Sequence, residues 1–338
     1  MIRGSASKIL VVGCGSIGER HIRNLKSSTT VEIFACDMDK QRLEHIREKY
    51  HIKAFGDYRQ ALGEGIDAVL ICTPTRSHIA PASAAIRSGC HVFIEKPLSH
   101  TMRGVDDLID EAEHRGLTLM VGFNLRFHPA LQLIRELVDR QQIGNLIAAK
   151  AHAGSYFLYR SRYHSWKDYT QDYAAKKVGG GVILDSATHH IDYVTSLFGE
   201  AKKVFCYSGR MSSLGLEAED IAEILLKFET GAVASLHVNF VQQPYQNKYE
   251  IIGERGTITW DVADNAVRFF GDRDNTWQTV TLERNFDYNE TYVQELIHFL
   301  GCVSGREQPP VDGKRGKRIV EIALAAKKSA RTGRAITC

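Results

Sequence analysis

Three residues far apart in the chain could do chemistry together. Lys96 closes the run His91-Val92-Phe93-Ile94-Glu95-Lys96-Pro97, at the end of an apolar stretch with strand character. Asp185 and His189 follow directly after Gly179-Gly180-Gly181, one helical turn from each other. On a helix that spacing puts carboxylate and imidazole on one face. The carboxylate can orient the ring, and an imidazole titrating near neutral pH can serve as a general base. An ammonium group such as that of Lys96 can share the proton of an alcohol and polarise the carbonyl that forms. Together they suit oxidation of a secondary alcohol, provided a hydride acceptor is bound. The plainer readings are a solvated strand-end lysine and an ordinary polar helix surface.

The elements that must position these groups can be read on either side. Lys8-Ile9-Leu10-Val11-Val12 is a short apolar strand that runs into Gly13-Cys14-Gly15-Ser16-Ile17-Gly18, and a helix is expected from Ser16 to about Lys26. Between a strand and a helix, this spacing is a dinucleotide fingerprint. Gly13 serves the tight turn, Gly15 the approach of a pyrophosphate, and Gly18 the packing of helix on strand. Ser16 and Ile17 sit where backbone N–H groups and the positive helix end hold phosphate. A second strand, Val31–Cys36, ends at Asp37, where a carboxylate can grip a ribose diol and repel a 2′-phosphate, so NAD is expected over NADP. Asp37 could equally cap the helix that starts near Asp39. Asp67–Cys72 reads as a strand buried on both faces and ends at Thr73-Pro74, with His78 opening the next helix. Val105, Leu108, Ile109 and Ala112 form a helical stripe stopped by Gly116, and Leu117–Gly122 is a further strand. The pattern is a doubly wound parallel sheet over residues 1–122, with Gly13, Asp37, Thr73, Pro74, His78, Glu95 and Lys96 at the ligand-binding ends of its strands.

Residues 123–338 change character. Leu131, Ile134 and Leu137 mark a helix. Ala222, Ile224, Leu226 and Phe228, then Ala234, Leu236, Val238 and Phe240, alternate with polar neighbours as strands of a hairpin. An α+β domain with an open, mostly antiparallel sheet is expected, one face covered by helices and the other solvated or used between subunits. In the segment after the glycine run, Leu184, Ala187, Ile191, Val194 and Phe198 make an apolar stripe, with Asp185, His189 and Asp192 on the opposite face. His190 points elsewhere and reads as packing. Residues 154–178 concentrate aromatic and cationic side chains, among them Tyr156, Tyr163 and Trp166. That composition fits stacking on sugar faces, and it would also fit an arm exchanged between subunits.

Composition excludes several classes. A chain of 338 residues with 43% apolar and 25% charged residues is ordinary for globular domains. A net charge of +3 without long runs does not point to nucleic acid. The seven cysteines never form Cys-x-x-Cys, which favours free thiols over a disulfide framework or a zinc site. His152, His189 and His190 lack metal-ligand spacing, so no metal is expected. The first residues lack an apolar signal core, and no run reaches the ~18 apolar residues of a membrane span. A cytoplasmic protein without membrane partners is the expectation.

The fingerprint Gly13–Gly18, the run Glu95-Lys96-Pro97, Phe123-Asn124-Leu125-Arg126-Phe127 and the segment Gly179–Asp192 together resemble the Gfo/Idh/MocA family, the glucose–fructose oxidoreductase and inositol dehydrogenase-like NAD(P)-dependent oxidoreductases. The resemblance covers essentially the whole chain. It implies a Rossmann domain joined to an α+β domain, a nicotinamide dinucleotide, and a cis bond before Pro97. It also implies a homodimer or homotetramer built on the open sheet. Lys96, Asp185 and His189 match the family's catalytic positions, Asn124 falls on its cofactor side, and Arg126 joins Tyr156, Tyr163, Trp166, Asp185 and His189 as a substrate contact. The implied substrate is a sugar, an inositol or a sugar derivative, free or nucleotide-linked. Two alternatives belong to the same family: a non-catalytic dinucleotide-binding regulator, and a glycosidase that holds NAD for transient oxidation. Keeping all three catalytic positions weighs against the regulator.

Overall fold

The computed structural model describes residues 8–162, 169–271, 275–283 and 286–338. The chain divides into two compact units, one running to Asn124 and taking in Asn289–Val320, the other comprising Leu125–Tyr288 and Glu321–Cys338.

The first unit is a βα alternation: β1 (Lys8–Val12), α1 (Ser16–Ser28), β2 (Glu32–Cys36), α2 (Lys40–Tyr50), β3 (Lys53–Phe55), α3 (Tyr58–Leu62), β4 (Ala68–Ile71), α4 (Ile79–Arg87), β5 (His91–Glu95), α5 (Val105–His114) and β6 (Leu119–Gly122). Its strands form one parallel sheet in the order β3-β2-β1-β4-β5-β6. β4 is apolar throughout, as are Ile9–Val12 of β1 and Val92–Ile94 of β5, because both faces of a central parallel strand are covered, and every residue of β4 is buried. The order reverses between β1 and β4, so their following loops leave in opposite directions and open a crevice at the carboxyl ends.

In the second unit, α6 (Pro129–Asp139) leads into β7 (Leu146–Tyr156), and α7 (Thr188–Phe198) into β8 (Ala201–Gly209), β9 (Ile221–Phe228), β10 (Val233–Asn239), β11 (Val241–Gly253), β12 (Gly256–Asp261), β13 (Ala266–Gly271) and β14 (Thr276–Thr281). With the terminal β15 (Ile336–Thr337), these strands make a sheet ordered β14-β13-β12-β11-β7-β10-β9-β8-β15. Every pairing is antiparallel except β7 with β10. Alternation sorts the two faces. Ala222, Ile224, Leu226 and Phe228 are buried, and Phe198 of α7 stacks on Phe228 at 5.1 Å, while Tyr207, Leu225 and Val233 stand exposed.

The expected continuous domain from 123 to 338 is corrected by the return of α8 (Asn289–Val303) and the start of α9 (Gly313–Thr332) to the first unit. The reason is packing and backbone pairing. α8 lies against α1, with Asn289 and Asn24 joined by side-chain hydrogen bonds of 3.0 and 3.2 Å. The Val121 amide donates to the Val311 carbonyl at 2.9 Å. No helix among the described residues is long and apolar enough to cross a membrane.

Candidate active site

The first unit's cradle is built by glycines with distinct constraints. Gly13 has φ +94°, its amide donates to the Cys36 carbonyl at 2.8 Å, and a Cβ there would lie 2.7 Å from the Cys72 and Thr73 backbone. A Cβ on Gly18 would overlap the Gly13 carbonyl oxygen. Gly15, at the N-terminus of α1, has nothing within 4 Å of where a Cβ would be. Ser16 is exposed beside it and Ile17 half-buried. Asp37 Oδ2 accepts from the Cys14 amide at 2.7 Å and from Arg42 at 3.2 Å, and Oδ1 from the Asp39 amide at 2.9 Å. The cap of α2 is Asp39, not Asp37. Open space over Gly15 fits a diphosphate on the helix end, and the Asp37 carboxylate, its side chain 9% exposed and held by three protein donors, stands after β2 where a ribose is met in such folds.

Lys96 emerges half-buried at the end of β5, before a cis peptide to Pro97. Beneath it, Glu95 Oε1 pairs with His21 Nε2 at 2.6 Å and Oε2 accepts the Lys96 amide at 3.2 Å. Burial raises the Glu95 carboxyl, but the His21 bond and the nearby Lys96 charge outweigh it and leave Glu95 below its ordinary value. Glu295 of α8 is fully buried, and among the described residues its oxygens make no hydrogen bond within 3.5 Å. Burial, with the Glu95 charge adding to it, pushes its carboxyl well above the usual range.

His78 and Asn124 both engage the protein's own groups. The buried His78 ring lies between the Thr73 carbonyl, 2.8 Å from Nε2, and the Pro97 carbonyl, 3.0 Å from Nδ1; burial lowers its pKa, and the neutral ring donates to one of the two. Asn124 is buried and donates to Thr291 Oγ1 at 2.8 Å. Thr73 is half-buried, its hydroxyl bonded to the Ser77 carbonyl at 3.2 Å, and Pro74 is exposed.

In the second unit the helix after the glycine run is not regular. Ile183–Ala187 is a single π turn, and α7 follows from Thr188. The extra residue in the turn breaks the constant period on which a common face for Asp185, His189 and Asp192 depended. Asp185 is buried and accepts the Tyr173 hydroxyl on Oδ1, and His189 is half-buried at the start of α7. Asp192 turns inward at 1% exposure, where Arg126 grips it with two bonds of 2.6 and 2.7 Å. That fork takes up two of the donors on which Arg126 would recognise substrate and makes it a brace for α7. Removing Arg126 would strand a buried carboxylate, a change costing ~3–5 kcal/mol. His190 packs as expected, Nδ1 against the Tyr249 hydroxyl at 2.5 Å, and burial pushes it down to about 4. His152 bonds Gln242 at 2.6 Å. Tyr156 is half-buried against Tyr159, ring centres 5.3 Å apart. Tyr163 and Trp166 lie outside the described residues.

Residues 7–123 match the oxidoreductase family with an NAD-binding Rossmann fold, and residues 131–259 match the Gfo/Idh/MocA C-terminal domain. The chain belongs to the Gfo/Idh/MocA family. It is an NAD-linked oxidoreductase. It is 30% identical to a myo-inositol 2-dehydrogenase of Thermotoga maritima over 97% of this chain and 98% of that one. It is 26% identical to an NAD-dependent scyllo-inositol 2-dehydrogenase of Bacillus subtilis over 96% and 94%. Among solved structures, a probable dehydrogenase from Thermotoga maritima aligns with TM-score 0.81 at 28% identity, covering 98% of both chains. Levoglucosan dehydrogenase in complex with NADH and L-sorbose shares the fold, with TM-score 0.87 at 19% identity over 98% of each chain.

For a Gfo/Idh/MocA oxidoreductase the sequence pattern left several supporting residues unseen. Tyr173 is one of several aromatics in residues 154–178, and nothing local in the sequence ties it to Asp185. His21, Glu295 and Thr291 look like ordinary helix residues in sequence. Glu219 and Lys327, which bond at 2.9 and 3.1 Å beside the second glycine run, are separated by 108 residues. The free state of all seven cysteines agrees with their spacing.

Proposed function

We propose that this oxidoreductase dehydrogenates a secondary hydroxyl of an inositol or a free sugar with NAD, His189 taking the hydroxyl proton. The observation that carries the reading is the second unit's buried Asp185, held by Tyr173 at the foot of the helix that starts beside His189. A fixed carboxylate so close in sequence favours the protonated form of the imidazole once it has accepted a proton. Lys96, set on β5 by the Glu95–His21 pair, shares the proton and polarises the forming carbonyl. Bound NAD supplies the hydride acceptor. The diphosphate is held at Gly13, Gly15, Ser16, Ile17 and Gly18, and Asp37 takes the ribose and disfavours a 2′-phosphate.

The names of the full-length relatives, inositol dehydrogenases among them, support a polyol or sugar substrate. Tyr156, Tyr163 and Trp166 are assigned to its recognition, and the exposed Tyr207, Leu225 and Val233 to a homo-oligomer contact. The test is NADH formation over a panel of inositols, aldoses, sugar acids and nucleotide sugars. His189→Ala and Lys96→Met should each lower kcat by ~10²–10⁴-fold with NAD affinity little changed. Cleavage of a glycoside without accumulation of NADH would favour the glycosidase alternative, and normal turnover by either variant would remove its residue from the mechanism.

A further inference from the structure

We propose that Tyr173 is a positioning residue for Asp185, the carboxylate four positions before His189, its phenol hydroxyl fixing that carboxylate and drawing off part of its charge. The inference rests on His189 being the proton acceptor. Tyr173 stands in the short turn Tyr173–Ala175, capped by the buried Asp172, which accepts the Ala174 amide at 2.8 Å. Its hydroxyl donates to Asp185 Oδ1. A phenol, with a pKa of about 10, donates to an ionised carboxylate without surrendering its proton, and such charge-assisted bonds are strong.

The turn cannot drift, because the glycine run is built around it. The Gly181 amide donates to the Ala174 carbonyl at 2.9 Å, and a Cβ on Gly180 would collide with the carbonyl oxygens of Tyr173 and Lys176. Gly181, with φ +92°, leaves the space filled by the Glu219 carboxylate, one of whose oxygens would sit 2.7 Å from a Cβ there. Lys327 bonds both Glu219 oxygens and reaches the Gly180 carbonyl at 3.3 Å. The Val182 amide then donates to the Glu219 carbonyl and the Asp185 amide to the Gly181 carbonyl, each at 2.9 Å. The same glycines therefore set both the backbone of Asp185 and the phenol that meets its side chain. The described charged groups around this turn are Asp172, Lys176, Lys177, Glu217, Glu219 and Lys327, with Lys176 paired to Glu217 at 3.2 Å and the Glu217 amide donating to the Ala175 carbonyl at 2.8 Å.

Withdrawing the hydroxyl leaves a fuller charge on Asp185, which holds a proton on His189 more firmly. In protein labelled at histidine and titrated by NMR, with the His189 signal assigned through His189→Gln, Tyr173→Phe should raise the His189 titration by about 0.5 pH unit or more. Site-specific 3-fluorotyrosine at position 173, a better donor, should move it the other way, and this second protein serves if Tyr173→Phe does not fold. An unchanged titration in a folded variant, even with a lowered melting temperature, overturns the inference and leaves Tyr173 a packing residue. The proton-acceptor reading fails separately, if His189→Ala keeps wild-type turnover on whichever substrate the panel identifies.

Discussion

The two glycine runs look alike in sequence and do opposite work. Around Gly13–Gly18 two glycines admit the chain's own backbone, but Gly15 faces open space at the head of α1. Around Gly179–Gly181 the space a side chain would take at Gly180 and Gly181 is already filled by protein: the 173–176 turn and the Glu219 carboxylate. One run clears room for a ligand, while the other lets a scaffold close on a carboxylate. Glycine density therefore signals close approach, and what approaches depends on which neighbours the fold supplies.

Substituting alanine at single positions separates the two cases. Gly18→Ala is expected to have the largest effect, because a Cβ overlapping the Gly13 carbonyl forces α1 off the sheet. A loss of more than ~3 kcal/mol in denaturant unfolding is expected, together with loss of NAD binding. Gly180→Ala should come next, at ~2–3 kcal/mol, with kcat strongly reduced and NAD affinity near normal. Gly15→Ala should leave the melting temperature almost untouched and weaken NAD by about tenfold, equivalent to ~1.4 kcal/mol. If Gly15→Ala unfolds the protein yet binds NAD normally, or if Gly180→Ala chiefly impairs NAD binding, the contrast between the runs collapses.

The smallest effects concern buried titratable groups, at most about 1.4 kcal/mol per pH unit for each group. Glu295, in the first unit, keeps its proton in the folded chain after the unfolded chain has released it. Its contribution is complete below the ordinary carboxyl range and is lost as pH rises towards the raised folded value. His190, in the second, is neutral when folded down to about 4, so its contribution is present above 6.5 and is lost as pH falls towards about 4. Glu295→Gln should flatten the alkaline side of the stability–pH curve, and His190→Gln the acid side. Identical curves for the two variants would mean that neither group carries the difference.

Much of this was legible because its signals are local. The fingerprint sits between β1 and α1, Asp37 follows β2, the apolar runs of β4 and β5 mark central strands, and the alternation in β9 and β10 gives their hairpin. What escaped notice depends on partners distant in sequence. Arg126 meets Asp192 across 66 positions, and Asn124 meets Thr291 across 167. No local pattern distinguishes a tyrosine that will meet an aspartate from one that will stack on a sugar. The π turn at Ile183–Ala187 escaped for another reason: a helical wheel assumes one period, and a single inserted residue rotates everything beyond it.

The lone parallel pairing of the second sheet, β7 beside β10, matters for how such a chain can be remodelled over generations. To lay β10 alongside β7 in the same direction, the polypeptide has to make a long excursion first. Tyr173, the glycine run, Asp185 and His189 all ride on that excursion, between the end of β7 at Tyr156 and the start of β8 at Ala201. The ladders β7–β10 and β7–β11 are formed by strands outside it. A lineage can therefore exchange or lengthen one uninterrupted stretch of gene and meet a new substrate, while the framework that receives it is inherited unchanged.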